Sequence, residues 1–107
     1  HLAAVSVAPA ADAAAAILNT TTEVLVSTAS GANTAISTTS SVAGQRVFLR
    51  MTAAAGGGSY TLVVSGGTLT LNSVGETAAI VRNVANSAWH VVSLTAGDAA
   101  GAAATVV

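Results

Sequence analysis

From about position 20 onward, apolar and polar residues alternate with a period of two, the repeat of a strand that buries one face. Thr22, Val24 and Val26 share one side and Glu23, Leu25 and Ser27 the other, and the run closes on the turn cluster Ser30-Gly31-Ala32-Asn33. A weaker run over 33–39 centres on Ile36. The cleanest alternation spans 45–52, where Val47, Leu49 and Met51 face one way, as a core set, and Arg46, Phe48 and Arg50 the other. Gly56-Gly57-Gly58 reads as a turn with positive φ, joining this strand as a hairpin or near-hairpin to 59–65, whose Tyr60, Leu62 and Val64 share a face. Gly66-Gly67 makes a second tight turn into 68–72, with Leu69 and Leu71 inward. Val74-Gly75-Glu76 is a corner, a strand around Ile80 fills 77–83, and a turn over 84–87 leads to 88–95. There Trp89, Val91 and Ser93 oppose His90, Val92 and Leu94.

Seven to eight short strands at spacings of about 8 to 12 residues predict an all-β fold, a small antiparallel β-sandwich of jelly-roll-like type. The two ends differ from this core. Val5 and Val7 alternate loosely before Pro9, as in an arm or an edge strand. Asp12 opens an alanine-rich stretch to Leu18 with high helix propensity, expected to be a helical turn or a linker because seven residues do not hold a helix without tertiary contacts. The tail carries Gly97-Asp98 and Gly101 as breakers and ends Ala104-Thr105-Val106-Val107. The expected division is an Ala-rich N-terminal arm over 1–20, a sandwich domain over 21–95, and a C-terminal arm or edge strand over 96–107.

Composition changes this picture mainly through charge. Asp12, Glu23, Glu76 and Asp98 with Arg46, Arg50 and Arg82 make the chain 7% charged, against about 25% in ordinary domains. A surface of Ala, Thr and Ser costs little to desolvate, which suits burial against copies or partners. The bland alternative is a composition bias of a high-GC genome. A net charge of −1 and three scattered arginines give no basic patch for nucleic acid. The apolar runs fall far short of the ~20 residues of a spanning helix, so no membrane segment is expected. With no cysteine there is neither a disulfide framework nor a thiolate metal site. A start at His1 instead of methionine leaves room for a leader removed before this point.

No catalytic constellation emerges. The four acids show no pairing motif, no G-x-S-x-G elbow occurs, and the glycine triplet lacks the Lys-Ser/Thr of a phosphate loop. His1 and His90 alone fall short of a metal site. No enzyme activity, cofactor or metal is expected. Trp89 is expected in the core, with a sugar-stacking platform as the functional alternative. The candidate interface is the set Arg46, Phe48 and Arg50, since arginine and aromatics are enriched in interface cores. Its alternative is a second sheet's core with an arginine at each end.

The order of several runs carries a resemblance. Gly44-Gln45-Arg46-Val47-Phe48-Leu49, Tyr60-Thr61-Leu62, the residues from Gly66 to Leu71, Gly75-Glu76-Thr77 with Ile80-Val81, and Trp89-His90-Val91-Val92-Ser93 follow one another as in a small module of tailed-bacteriophage virion proteins. About half the chain resembles that family; the match before Gly44 is weak. The resemblance implies a β-sandwich, usually trimeric, without catalysis or cofactor, used in capsid decoration (cement) proteins and in fibre or spike parts. A chain that is little more than the module favours a decoration protein, a homotrimer on the outer surface of the head that binds the major capsid protein. A receptor- or carbohydrate-binding module of a tail fibre or spike is the second reading, with Trp89 or Tyr60 exposed, and a bacterial secreted or surface-layer β-domain the third.

Overall fold

The computed structural model describes residues 5–83, 88–95 and 105–106. Its strands are β1 (Ser6–Val7), β2 (Ala15–Ile17), β3 (Glu23–Thr28), β4 (Asn33–Thr38), β5 (Arg46–Ala54), β6 (Ser59–Val64), β7 (Gly67–Leu71), β8 (Thr77–Arg82), β9 (Trp89–Thr95) and β10 (Thr105–Val106). One 3-10 turn at Ala55–Gly57 is the only helical element among the described residues. The fold is all-β. Its strands form two five-stranded sheets, ordered β1-β3-β5-β8-β9 and β10-β7-β6-β4-β2.

The alternation read from the sequence sets the faces. Val24 and Val26 of β3, Val47, Leu49 and Met51 of β5, Ala78 and Ile80 of β8 and Trp89 of β9 point inward from the first sheet. They join Ala15, Ile17, Ile36, Tyr60, Leu62, Val64, Leu69 and Leu71 from the second sheet in one buried cluster. Each fully buried Val, Leu or Ile contributes roughly 1.5–3 kcal/mol relative to an exposed one, so this inner layer supplies the main driving force for folding.

The pairing differs from the expected antiparallel jelly roll. β1 runs parallel to β3, β3 to β5, β2 to β4 and β4 to β6, whereas β5–β8, β8–β9, β6–β7 and β7–β10 are antiparallel. Up to β6 the chain crosses to the other sheet at every connection, winding as a flattened coil. Val24 stands beside Leu49 and Asn33 beside Ser59, so the last two turns of this coil advance 25 and 26 residues. Period-two alternation states which face is buried and is silent about the neighbouring strand.

Further expectations change as well. The Gly56-Gly57-Gly58 turn does not close a hairpin: it carries the chain from β5 in one sheet to β6 in the other. Gly56 and Gly57 take φ of 74° and 78°, and a Cβ on Gly58 would fall 2.5 Å from the carbonyl oxygens of Ser30 and Ala32, so this crossover packs directly on the β3–β4 connection. The stretch after Asp12 holds a strand in place of a helical turn, because spacing by two puts both Ala15 and Ile17 into the core. Asp12 itself sits at φ 63°. β1 is the edge strand that the alternation of Val5 and Val7 allowed, lying on β3, and β2 pairs with β4 in the second sheet. At the other end β10 is an edge strand on β7, while the rest of the expected C-terminal arm and the turn over 84–87 lie outside the described residues.

β9 is the long edge of the first sheet. Its pairing with β8 shifts register between Ala79 and Ile80, leaving Val92 as an extra residue of a bulge, 57% exposed.

Candidate functional site

Arg46, Phe48 and Arg50 lie on β5, the central strand of the first sheet, and all three are exposed while Val47, Leu49 and Met51 beneath them are buried. This decides between the two faces the sequence left open: the stripe is on the outside. In register, Phe48 stands between Glu23 of β3 and Ala79 of β8, Arg50 between Leu25 and Thr77, and Arg46 beside Val81. Phe48 remains 41% exposed because Ala79 is too short to cover it. The Glu23 carboxylate accepts a hydrogen bond from the Ser6 hydroxyl of β1. Neither Arg46 nor Arg50 forms an ion pair among the described residues. Two arginines against one glutamate give this face a small positive excess.

Trp89 and Tyr60 are core residues, 4% and 0% exposed. The Trp89 indole N–H donates to Thr38 Oγ1 at 2.8 Å, tying β9 of the first sheet to the end of β4 in the second. The Tyr60 hydroxyl donates to the Ala13 carbonyl. Burial first, and the Asp12 carboxylate second, raise the Tyr60 pKa above 10. Neither ring is available to stack on a sugar. His90 is half-buried, with Nε2 at 3.1 Å from Asn83 Nδ2. No group of three or more His, Cys, Asp or Glu side chains comes together among the described residues, and no helix there is long and apolar enough to cross a membrane. His1 and Asp98 lie outside them.

Three side chains fasten connections, and none was singled out for that role by its pattern in the sequence. Asp12 holds the β3–β4 connection, its carboxylate accepting from the Ala29 N–H and, at 3.2 Å, from the Ser30 hydroxyl. Glu76 is fully buried, and its Oε1 accepts the N–H groups of Asn72 and Ser73 at 2.6 and 2.7 Å, closing the corner between β7 and β8. Its Oε2, like Arg82 Nε at the far end of β8, is buried without a hydrogen-bond partner. Gln45 joins the two connections at the end where β3 and β5 begin. Its Nε2 donates to the carbonyls of Leu18 and Thr21, both at 2.8 Å, and its Oε1 accepts the Val42 N–H at 3.1 Å.

Beside Gln45 opens a cleft of about 490 Å³ between Val5, residues 19–22, Val42 and residues 44–46. Its walls are mostly apolar: Val5 is 41% and Val42 49% exposed, and Arg46 forms part of the rim. A strand start after Gly44 gave no sign of it, because the cleft is made by two connections brought side by side by parallel pairing. No protein family, curated protein or solved structure matches the chain.

Proposed function

We propose that this chain is a structural virion protein, a capsid decoration (cement) protein that sits as a homotrimer on the outer surface of a phage head and ties neighbouring major capsid protein subunits together. The observation that carries the reading is the exposed Arg46–Phe48–Arg50 stripe at the centre of a sheet face whose in-register neighbours on β8, Ala79, Thr77 and Val81, are small or uncharged, with Glu23 of β3 the one acid beside it. An exposed aromatic between two arginines on such a face has the make-up of an interface core. The resemblance of the order of runs to phage virion modules suggests the specific setting. A cement protein works by repetition: modest contacts, made by several linked copies at once, must break together before subunits part. Closed three-fold symmetry links the copies without leaving open ends.

The competing reading, a carbohydrate-binding module, loses its platform with Trp89 and Tyr60 buried. Light scattering is expected to give a mass near three times the 10.2 kDa of the chain, and the protein is expected to sediment with bare heads of a phage whose genome carries its gene. Phe48→Ala should abolish sedimentation while changing folding stability by no more than about 0.5 kcal/mol, since the ring is on the surface. A monomer that ignores the heads overturns the reading.

A further inference from the structure

Arg46 belongs to two features at once: it is the first residue of the exposed stripe on β5 and part of the rim of the end cleft. The stripe therefore runs without interruption from Arg50 past Phe48 into an apolar hollow. Resting on the interaction role proposed above, we propose that stripe and cleft form one docking groove for an extended acidic segment of a partner protein, with an apolar side chain seated between Val5 and Val42 and carboxylates on Arg46 and Arg50.

Charge complementarity and spacing carry the assignment. Both guanidinium groups lack an acidic partner among the described residues, and the one carboxylate in register with the stripe, Glu23, stands beside Phe48 and accepts from the Ser6 hydroxyl. Four residues along a strand separate Arg46 from Arg50 by about 13 Å, the distance between carboxylates four positions apart in an extended peptide. Such charge-assisted pairs are the stronger class of hydrogen bond, and arginine suits a carboxylate geometrically. The cleft, about 490 Å³, has ample room for a Leu or Phe side chain. Its walls are preformed, since Gln45 locks residues 18, 21 and 42 to one another. A preformed pocket spares the ordering cost that weakens docking onto a loose surface.

The test uses the full chain and four fluorescein-labelled peptides: Leu-Thr-Asp-Thr-Ser-Thr-Asp-Thr and counterparts with both Asp changed to Asn, both Asp changed to Lys, or Leu changed to Ser. Anisotropy titrations at low salt should show the first peptide binding at least about ten-fold tighter than each counterpart. Arg46→Ala should shrink the difference between the Asp and Asn peptides. Val42→Trp, a surface substitution that fills the cleft, should remove the difference between Leu and Ser, and Thr20→Trp provides a second filling variant if the first does not fold. Methyl NMR shifts should appear at Val5 and Val42. Equal binding of the Asp and Asn peptides overturns the proposal, as do shifts that avoid both valines. Octanoate shifting those methyls where no peptide binds also overturns it and assigns the cleft to a small carboxylate. The underlying function fails separately. Heads that bind the Val42→Trp and Arg46→Ala variants as well as the unmodified protein overturn the groove alone, whereas a protein that binds the peptide and ignores heads keeps the groove and loses the capsid.

Discussion

Strands β1 to β6 and strands β6 to β9 build the same two layers by opposite routes. In the first region each connection crosses to the other sheet, so neighbours in a sheet are about a coil turn apart in sequence and run parallel. In the second, β6–β7 and β8–β9 pair locally and antiparallel. The hardware follows the route. The β6–β7 hairpin needs a two-residue link at Ser65 and Gly66, with Gly66 at φ 90° and open space around it. The coil instead needs its connections held against one another, and it uses Asp12 at one end, Gln45 at the other, and a glycine where backbone meets backbone at Gly58. Long-range pairing depends on side-chain fastenings where local pairing depends on turn geometry.

The largest expected effect comes from β5, the strand of the first region that pairs with the second. β5 pairs parallel with β3 and antiparallel with β8, and Leu49 at its centre is fully buried. Leu49→Ala should cost about 3 kcal/mol in urea unfolding and lower the midpoint for both regions in one transition. Two separate transitions would show that they fold as independent units. Next comes a matched glycine pair. Gly58→Ala forces a methyl against two backbone oxygens and should cost about 2 kcal/mol or more, while Gly66→Ala meets only the positive-φ penalty of about 1 kcal/mol. Equal costs would erase the contrast between crossover and hairpin.

Gln45→Ala is expected to cost about 2 kcal/mol, since it removes both donors from the Leu18 and Thr21 carbonyls and the acceptor of the Val42 N–H. The loss should concentrate in amide exchange of residues 18–22 and 39–45. The smallest effect appears only in alkali. The folded-state pKa of Tyr60 is raised, so the native chain holds its phenolic proton more tightly than the unfolded chain. Stability is then fully present below pH 10 and falls as pH rises through the folded-state value. Tyr60→Phe should flatten that decline while losing the bond to Ala13. An unchanged slope would place the alkaline sensitivity elsewhere.

What the sequence revealed divides along the same line. The inward sets Val24/Val26, Val47/Leu49/Met51, Tyr60/Leu62/Val64, Leu69/Leu71 and Ile80 were legible because strand periodicity records burial directly. The outward stripe was legible as one of two alternatives, and the exposure of Phe48 chose between them. Strand β2 was misread, since four consecutive alanines carry helix propensity and almost no periodic signal, and only the pairing of Ala15 to Ile36 and Ile17 to Thr38 makes them extended. The coil was invisible because its turns advance by unequal numbers of residues and its partners share no motif. The end cleft inherited that invisibility: residues 19–22 and 42–46 meet only because β3 and β5 run side by side.

The bulge in β9 has a colloidal consequence. With seven charged side chains in 107 residues, repulsion does little to keep copies of this protein apart in concentrated solution. β9 is also a seven-residue sheet margin containing no acid, lysine, arginine or proline, with Val92 and Leu94 at its surface, the kind of margin that recruits further chains into fibres. The extra residue at Val92 interrupts the even row of backbone groups that such recruitment requires. The bulge thus guards this margin by shape where charge is lacking, and a one-residue deletion there should make the edge more adhesive.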